Sequence, residues 1–389
     1  MSSSPIVIVG GGLATARAVK GHREAGGSDP ITILSADSSP PYHRPPLSKR
    51  YLRGEIEADG TLVEPESYYR EQGADLRLGA AAAAIGDGEV ELTGGERVPF
   101  GRLVIASGAT PRRHPAPGAD LEGVFTLRTL ADSTAIREAA GGARRAVAVG
   151  TGFIGLEVAA SLGQLGLDVT IIDRGTQLFR PLACPPLSDY LAGLYREKGV
   201  ELVLGDDVAE FAGDGRVSAV RTASGKILDA DLAVVGIGVT PSVGFLEGSG
   251  VEVSDGAVVN ERFETSRSEV YAVGDVARFH DPVFGRRRRI EHWSNANYQG
   301  AELGKILATG EGGYDVVSSF FSELFGVSIR VFGDTTVHDR LELEGSFKAV
   351  ALYLDGDRIT AALTMGQEDE THERLKELIR SHAPLSAYR

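Results

Sequence analysis

Twice in this chain, a run of branched and small apolar residues breaks into a cluster of glycines and then into a helix-forming stretch, and no other feature constrains the fold as much. The first copy is IVIV from Ile6 to Val9, then Gly10, Gly11 and Gly12, then helical composition over residues 13–25 and a second apolar run from Ile31 to Leu34. The second copy is AVAV from Ala146 to Val149, a turn from Gly150 to Gly155, a helix over 156–165 and a strand over 168–172. Continuous apolar runs of this length suit strands covered on both faces, which belong to parallel sheets. The copies lie about 140 residues apart in a chain of 389 residues, a length that accommodates two or three domains.

The glycine spacing carries chemistry. In G-x-G-x-x-G the first glycine makes the tight turn and the second lets backbone N–H groups approach a pyrophosphate. The third allows close packing of helix on strand, and the positive end of the helix faces the anion. Gly150, Gly152 and Gly155 complete this pattern, with Ile154 inside it. Gly10 and Gly12 supply the first two positions of the earlier copy, where Thr15 replaces the third glycine. That replacement is expected to loosen helix–strand packing and to spare the phosphate contacts. An acid after the following strand accepts ribose hydroxyls: Asp37 in the first copy, Asp173 in the second. Asp173 favours the 2′-hydroxyl of NADH over a 2′-phosphate, and the neighbouring Arg174 tempers that preference. Two such modules imply one resident dinucleotide and one exchanging donor. The expected fold class is α/β, with two Rossmann-type dinucleotide-binding domains.

Other classes drop out. A net charge of −14 and a pI near 5.1 offer no basic field for nucleic acid. The single cysteine, Cys184, excludes a disulfide scaffold and an intramolecular redox pair. No run approaches the ~18 apolar residues of a membrane span, and Ile6–Val9 flows into glycines as a strand does, so a cytoplasmic protein is expected. No metal site is read. Residues 232–238 and 270–274 read as further β-rich stretches, 38–48 as a proline-rich loop, and the alanine run 80–84 as a packed helix or edge turn. From about Tyr314 the composition changes to that of a small α+β domain, with strands over 346–354 and 358–365 and a helix over 371–381.

Six further motifs occur in order: YHRPPLSK from Tyr42 to Lys49, LVIASGATP from Leu103 to Pro111, LRTL from Leu127 to Leu130, VGIGVTP from Val235 to Pro241, VYAVGDV from Val270 to Val276, and HWSNANYQG from His292 to Gly300. With them the chain resembles the FAD-dependent, NADH-oxidising ferredoxin reductases that serve oxygenases, within the pyridine nucleotide-disulfide oxidoreductase superfamily. The resemblance implies a glutathione-reductase-like architecture. An FAD domain would be formed by 1–112 and 239–313, an NAD(P)H domain by 113–238, and a C-terminal domain by 314–389.

By resemblance, Gly10, Gly12 and Ala14 line the FAD pyrophosphate, Asp37 holds the adenosine ribose and Ala82 meets the adenine. Arg44 and Lys49 approach the pyrophosphate and flavin, Gly274 and Asp275 the ribityl chain, and Arg128 and Trp293 the flavin. Ser107 and Gly108 belong to the same cofactor site. Gly236 and Gly238 join Gly150, Gly152, Ile154, Gly155, Glu157, Asp173 and Arg174 around NAD. Lys49 and Glu157 match the family's ion pair beside flavin N5, where hydride arrives. His292 is read as a structural histidine.

The region of the superfamily's catalytic cysteines is here the Tyr42–Lys49 motif, which has none, so electrons leave to an external acceptor. The resemblance names a [2Fe–2S] ferredoxin, and the arginine run Arg286 to Arg289 is the expected docking patch, with Arg50, Arg53, Arg112 and Arg113 as further candidates. The stretch from Ser318 to Phe325 is also similar to apoptosis-inducing factor. It keeps two alternatives open, an NADH-sensing flavoprotein and a quinone or small-molecule reductase.

Overall fold

The computed structural model describes residues 4–344 and 350–389. The chain divides into two compact units: Met1–His43, Ala58–Thr110 and Thr240–Val316 form the first, and Arg44–Glu57, Pro111–Val239 and Val317–Arg389 the second.

The first unit is built on a five-stranded parallel sheet in the order Val270–Ala272, Arg102–Ile105, Ile6–Val9, Ile31–Leu34, Ala74–Arg77. Ile6, Val7, Ile8, Ile33, Leu103 and Val104 are buried, as strands covered on both faces require. The Ile6–Val9 strand is central, with chain-adjacent Ile31–Leu34 on one side and the much later Arg102–Ile105 on the other. That makes its carboxyl end a topological switch point, where α/β sheets bind ligands. Gly10 follows it directly.

The Leu13–Glu24 helix leaves that turn and packs on the Trp293–Thr309 helix. The two backbones touch. A methyl group on Gly300 would overlap the Ala14 carbonyl, one on Gly304 the Ala18 carbonyl, and one on Gly21 the Ala301 carbonyl. The second of these helices is absent from the sequence expectation, because its amphipathic period is blurred by the polar residues of HWSNANYQG. Thr15, expected to loosen the packing, instead closes it with a bond: it is fully buried and its hydroxyl donates to the Gly10 carbonyl at 2.7 Å.

The alanine run is corrected. Ala82–Ile85 is a strand, paired antiparallel with Glu89–Leu92, which pairs in turn with Arg97–Pro99. Alanine's helix propensity yields there to cross-strand pairing.

The second unit repeats the plan. Its parallel sheet runs Glu201–Leu204, Asp168–Asp173, Arg145–Val149, Leu232–Val235, Val124–Thr126, again with the glycine-terminated strand at the switch point. The expected strand over 232–238 stops at Val235, since Gly236 runs against the backbone of Gly155. A five-stranded antiparallel sheet, in the order Ser319–Leu324, Val327–Gly333, Arg358–Met365, Val350–Asp355, Arg340–Glu344, is backed by the Asp369–Arg380 helix. The first residues of the strand expected over 346–354 lie outside the described residues.

Candidate functional site

The Leu13–Glu24 and Phe153–Gln164 helices begin at glycines, Gly12 and Gly152, with no side chain capping them and no acid in the first turn. The Leu130–Ala140 helix has the ordinary alternative, a capping box in which Thr129 and Asp132 satisfy each other's N–H groups. Uncapped first-turn N–H groups, aided by the helix dipole, take an anion. Space for one exists: a Cβ on Gly12 meets nothing within 4 Å, and one on Gly152 meets only the Gly236 carbonyl at 4.0 Å. Both turns therefore fit a pyrophosphate.

In the first unit, four expected FAD loops leave the same carboxyl edge of one parallel sheet. Gly10, Gly12 and Ala14 follow Ile6–Val9, Asp37 follows Ile31–Leu34, Ser107 and Gly108 follow Arg102–Ile105, and Gly274 and Asp275 follow Val270–Ala272. Asp37 accepts the Ser39 N–H at 3.1 Å on one oxygen and the Tyr42 hydroxyl at 2.6 Å on the other, leaving a lone pair on each. Ala82 starts the small antiparallel sheet, tethered by the Ala80 N–H donating to the Ser35 carbonyl at 2.7 Å. Ser107 donates to the Ser242 carbonyl at 2.8 Å.

Two residues missed by sequence reasoning organise this edge. Gln299, fully buried, accepts the Gly274 N–H at 2.8 Å and so fixes the turn that carries Asp275. Its own amide Nε2 is buried without a protein partner, a donor that an oxygen-rich cofactor would satisfy. His43 accepts the Trp293 indole N–H on Nδ1 at 2.9 Å, orienting the only tryptophan in the chain. Both lie inside motifs quoted above, so the motifs were the available signal.

In the second unit, Gly150, Gly155 and Gly236 form a backbone junction, where a methyl on Gly155 would overlap the Gly150 carbonyl. Gly238, at φ 103°, follows the same strand end. Ile154 sits in the first turn of the helix. Asp173 is more occupied than expected. It accepts the Thr151 N–H at 2.7 Å, the Thr151 hydroxyl at 3.0 Å and the Gly175 N–H at 2.6 Å, which leaves one of about four acceptor positions. Arg174 is exposed beside it.

Arg44, Lys49 and Arg128 also belong to the second unit. Arg44 donates to the Arg128 carbonyl. Lys49 Nζ lies 2.5 Å from Glu157 Oε2, with side-chain exposures of 12% and 6%. The Pro45–Ser48 turn is strapped down by Ser133 to the Leu47 carbonyl and Ser161 to the Ser48 carbonyl, both at 2.6 Å.

The four arginines of the expected docking patch are unequal. Arg286–Arg288 is the returning strand of a hairpin with Ala277–Asp281. Arg288 is tied to the fully buried Asp281 at 2.8 Å and lies over the Phe284 ring, and Arg289 is paired with Asp255 at 3.1 Å and with Glu291. Arg286 and Arg287 are exposed. Cys184 is buried, and burial pushes its thiol pKa up, which suits an inert residue.

Two histidines of the first unit make it acid-sensitive. Burial pulls His292 down to about 4, with Arg288 adding to the effect and Asp275 opposing it; burial and then Arg17 lower His43. Below pH ~6.5 the unfolded chain takes up protons that the folded histidines refuse, so stability is full above that pH, falls as pH drops from about 6.5 towards 4, and levels off once the folded His292 also protonates at about 4. His292 alone should account for about 3 kcal/mol of loss between pH 7 and pH 4. Urea unfolding at the two pH values should show a smaller loss in His292→Asn; an equal loss assigns the slope elsewhere.

Over residues 4–300 the chain matches the pyridine nucleotide-disulphide oxidoreductase family. It is similar to putidaredoxin reductase CamA of Pseudomonas putida, 33% identical over 391 residues, covering 98% of this chain and 92% of the relative. It is also similar to the 5,5'-dehydrodivanillate O-demethylase ferredoxin reductase subunit of Sphingobium sp. (strain NBRC 103272 / SYK-6), 36% identical over 345 residues, covering 87% and 84%. A chain of the crystal structure of the covalent putidaredoxin reductase–putidaredoxin complex matches with a TM-score of 0.94 at 32% identity, covering 99% of this chain and 94% of that one.

Proposed function

The chain belongs to the pyridine nucleotide-disulphide oxidoreductase family, and from that premise we propose that it passes a hydride from NADH to FAD and then single electrons to a [2Fe–2S] ferredoxin serving an oxygenase. The observation that carries the reading is the pair of uncapped, acid-free helix starts over glycine turns, one in each unit, each with room for a pyrophosphate. The ferredoxin reductases among its relatives support the choice of acceptor.

Gly10, Gly12 and Ala14 hold the FAD pyrophosphate, with Asp37 on the ribose and the Gly274–Asp275 turn, braced by Gln299, on the ribityl hydroxyls. FAD, when bound, supplies the two-electron acceptor that also releases electrons singly, so the protein needs no nucleophile of its own. In the second unit Gly150, Gly152, Ile154 and Gly155 receive the pyrophosphate of NADH. Asp173 offers its remaining lone pair to a ribose hydroxyl, and its charge disfavours a 2′-phosphate. Lys49, held by Glu157, offers a fixed positive charge for the negative charge that develops as hydride is delivered.

With Cys184 buried, no thiol is placed to relay electrons, and they pass outward. Arg286 and Arg287 are the exposed cations that meet an acidic ferredoxin, while Arg288 is half-buried and paired with Asp281 in the hairpin and Arg289 is half-buried and paired with Asp255 and Glu291. Arg286→Glu with Arg287→Glu should raise the KM for ferredoxin about tenfold at low salt, leave the KM for NADH unchanged, and lose its effect as salt rises. Equal ferredoxin kinetics in the variant would move the docking face elsewhere.

The test of the reading is anaerobic stopped-flow. Mixing the yellow protein with NADH should bleach the flavin band, and mixing the product with oxidised [2Fe–2S] ferredoxin should restore it. Bleaching without return favours an NADH sensor, return only with a quinone favours a quinone reductase, and no bleaching removes the central claim.

A further inference from the structure

Glu157 is held at both ends of its carboxylate, and only one end is held by Lys49. Oε2 takes Lys49 Nζ and the Ser48 hydroxyl, each at 2.5 Å. Oε1 takes the Ser322 hydroxyl at 2.7 Å. Ser48 also accepts from Lys49 Nζ at 3.3 Å, so its proton serves the glutamate and its lone pair serves the lysine. Lys49 completes its donors with the Pro45 carbonyl at 3.3 Å.

Ser322 is an odd choice for its position unless this bond matters. It lies on the Ser319–Leu324 strand, where the side chains of Phe320, Ser322 and Leu324 share one face. Phe320 packs edge-on against Phe153 at 4.9 Å and Leu324 is fully buried. A buried hydroxyl between two apolar residues costs free energy unless it is bonded. Here its partner is the carboxylate that pairs with Lys49.

We infer that Ser322 is a positioning residue for hydride transfer. By occupying Oε1 it stops the carboxylate from turning about its soft terminal torsion, and Glu157 then holds the Lys49 ammonium at one place. Ser48 does the same from the other side. This rests on the proposed hydride-transfer role of Lys49 and Glu157, and it gives the C-terminal sheet a part in a site that the glycine motifs alone do not include.

Single-turnover flavin reduction by NADH should slow about tenfold in Ser322→Ala, with flavin content and the Kd for NAD⁺ as in the wild type. Ser322→Thr, which keeps the hydroxyl, should return to within about threefold of the wild type. Ser318→Ala, which removes another buried hydroxyl of the same domain, should leave the rate unchanged. A wild-type rate in Ser322→Ala overturns the inference, as does a Thr variant no faster than the Ala variant, or an equal slowing in Ser318→Ala. A second readout needs no turnover: in urea unfolding, the costs of Ser322→Ala and Glu157→Gln should be less than additive. If the wild type is not bleached by NADH, the function fails while this cycle still tests the clamp, and strict additivity refutes it.

Discussion

Glu157→Leu should destabilise the protein by about 3–5 kcal/mol, and adding Lys49→Met should recover most of that loss. The reason is the asymmetry of buried ion pairs. Together Lys49 and Glu157 satisfy each other at 2.5 Å with little solvent access. Remove the carboxylate and an ammonium is left with the Pro45 carbonyl and the Ser48 hydroxyl as acceptors, both at 3.3 Å. The Ser48 and Ser322 hydroxyls lose their acceptor in the same step. The double variant removes both charges and fills the space with apolar side chains. Urea unfolding of the three proteins measures this. If the single variant falls within about 1 kcal/mol of the wild type, the pair is better solvated than its exposure indicates. The double variant also separates folding from chemistry: it should fold and bind flavin, yet reduce it far more slowly with NADH.

The second large effect is expected at Gly155. In Gly155→Ala the new methyl overlaps the Gly150 carbonyl, and the neighbours there are backbone, which cannot rotate away. The Phe153–Gln164 helix must lift from the turn, at a cost of about 3 kcal/mol or more, beyond ordinary overpacking. Because Gly152 and the first-turn N–H groups move with it, NADH binding should be lost while FAD is retained by the first unit. Isothermal titration with NAD⁺ and the flavin-to-protein ratio of the purified variant check the two halves. Tight NAD⁺ binding by the variant would mean that the helix start does not set the site. The matching change in the first unit is milder. Thr15→Gly deletes the hydroxyl bond to Gly10 and adds chain entropy, with no overlap, for about 1–2 kcal/mol.

That contrast locates what a sequence can and cannot convey. From residues alone, both glycine turns, the strands that feed them, the acids that end the next strands and the lack of a cysteine pair were legible, because each is a local pattern of chain chemistry. The order of motifs carried the family. The Lys49–Glu157 pair was legible only through resemblance, since 108 residues separate its members. Ser322 was not legible as a site residue, and Gln299 and His43 were signalled only by the motifs that contain them. A serine in a strand or a glutamine in a helix has no local signature of the partner it will meet.

What the sequence by itself determined is the two-module α/β plan: hydrophobic period and glycine spacing act over four to a dozen residues, and backbone sterics enforce them. What only the tertiary structure decided is which polar groups share a buried site. Four loops from distant segments leave one sheet edge, Asp173 spends most of its acceptors on Thr151 and Gly175, Arg288 and Arg289 are half-buried in ion pairs while Arg286 and Arg287 are exposed, and Ser322 reaches Glu157 across 165 residues of chain. Hydrogen bonds and ion pairs act only over a few ångströms, so their partners are set by where the packed core brings the chain back on itself.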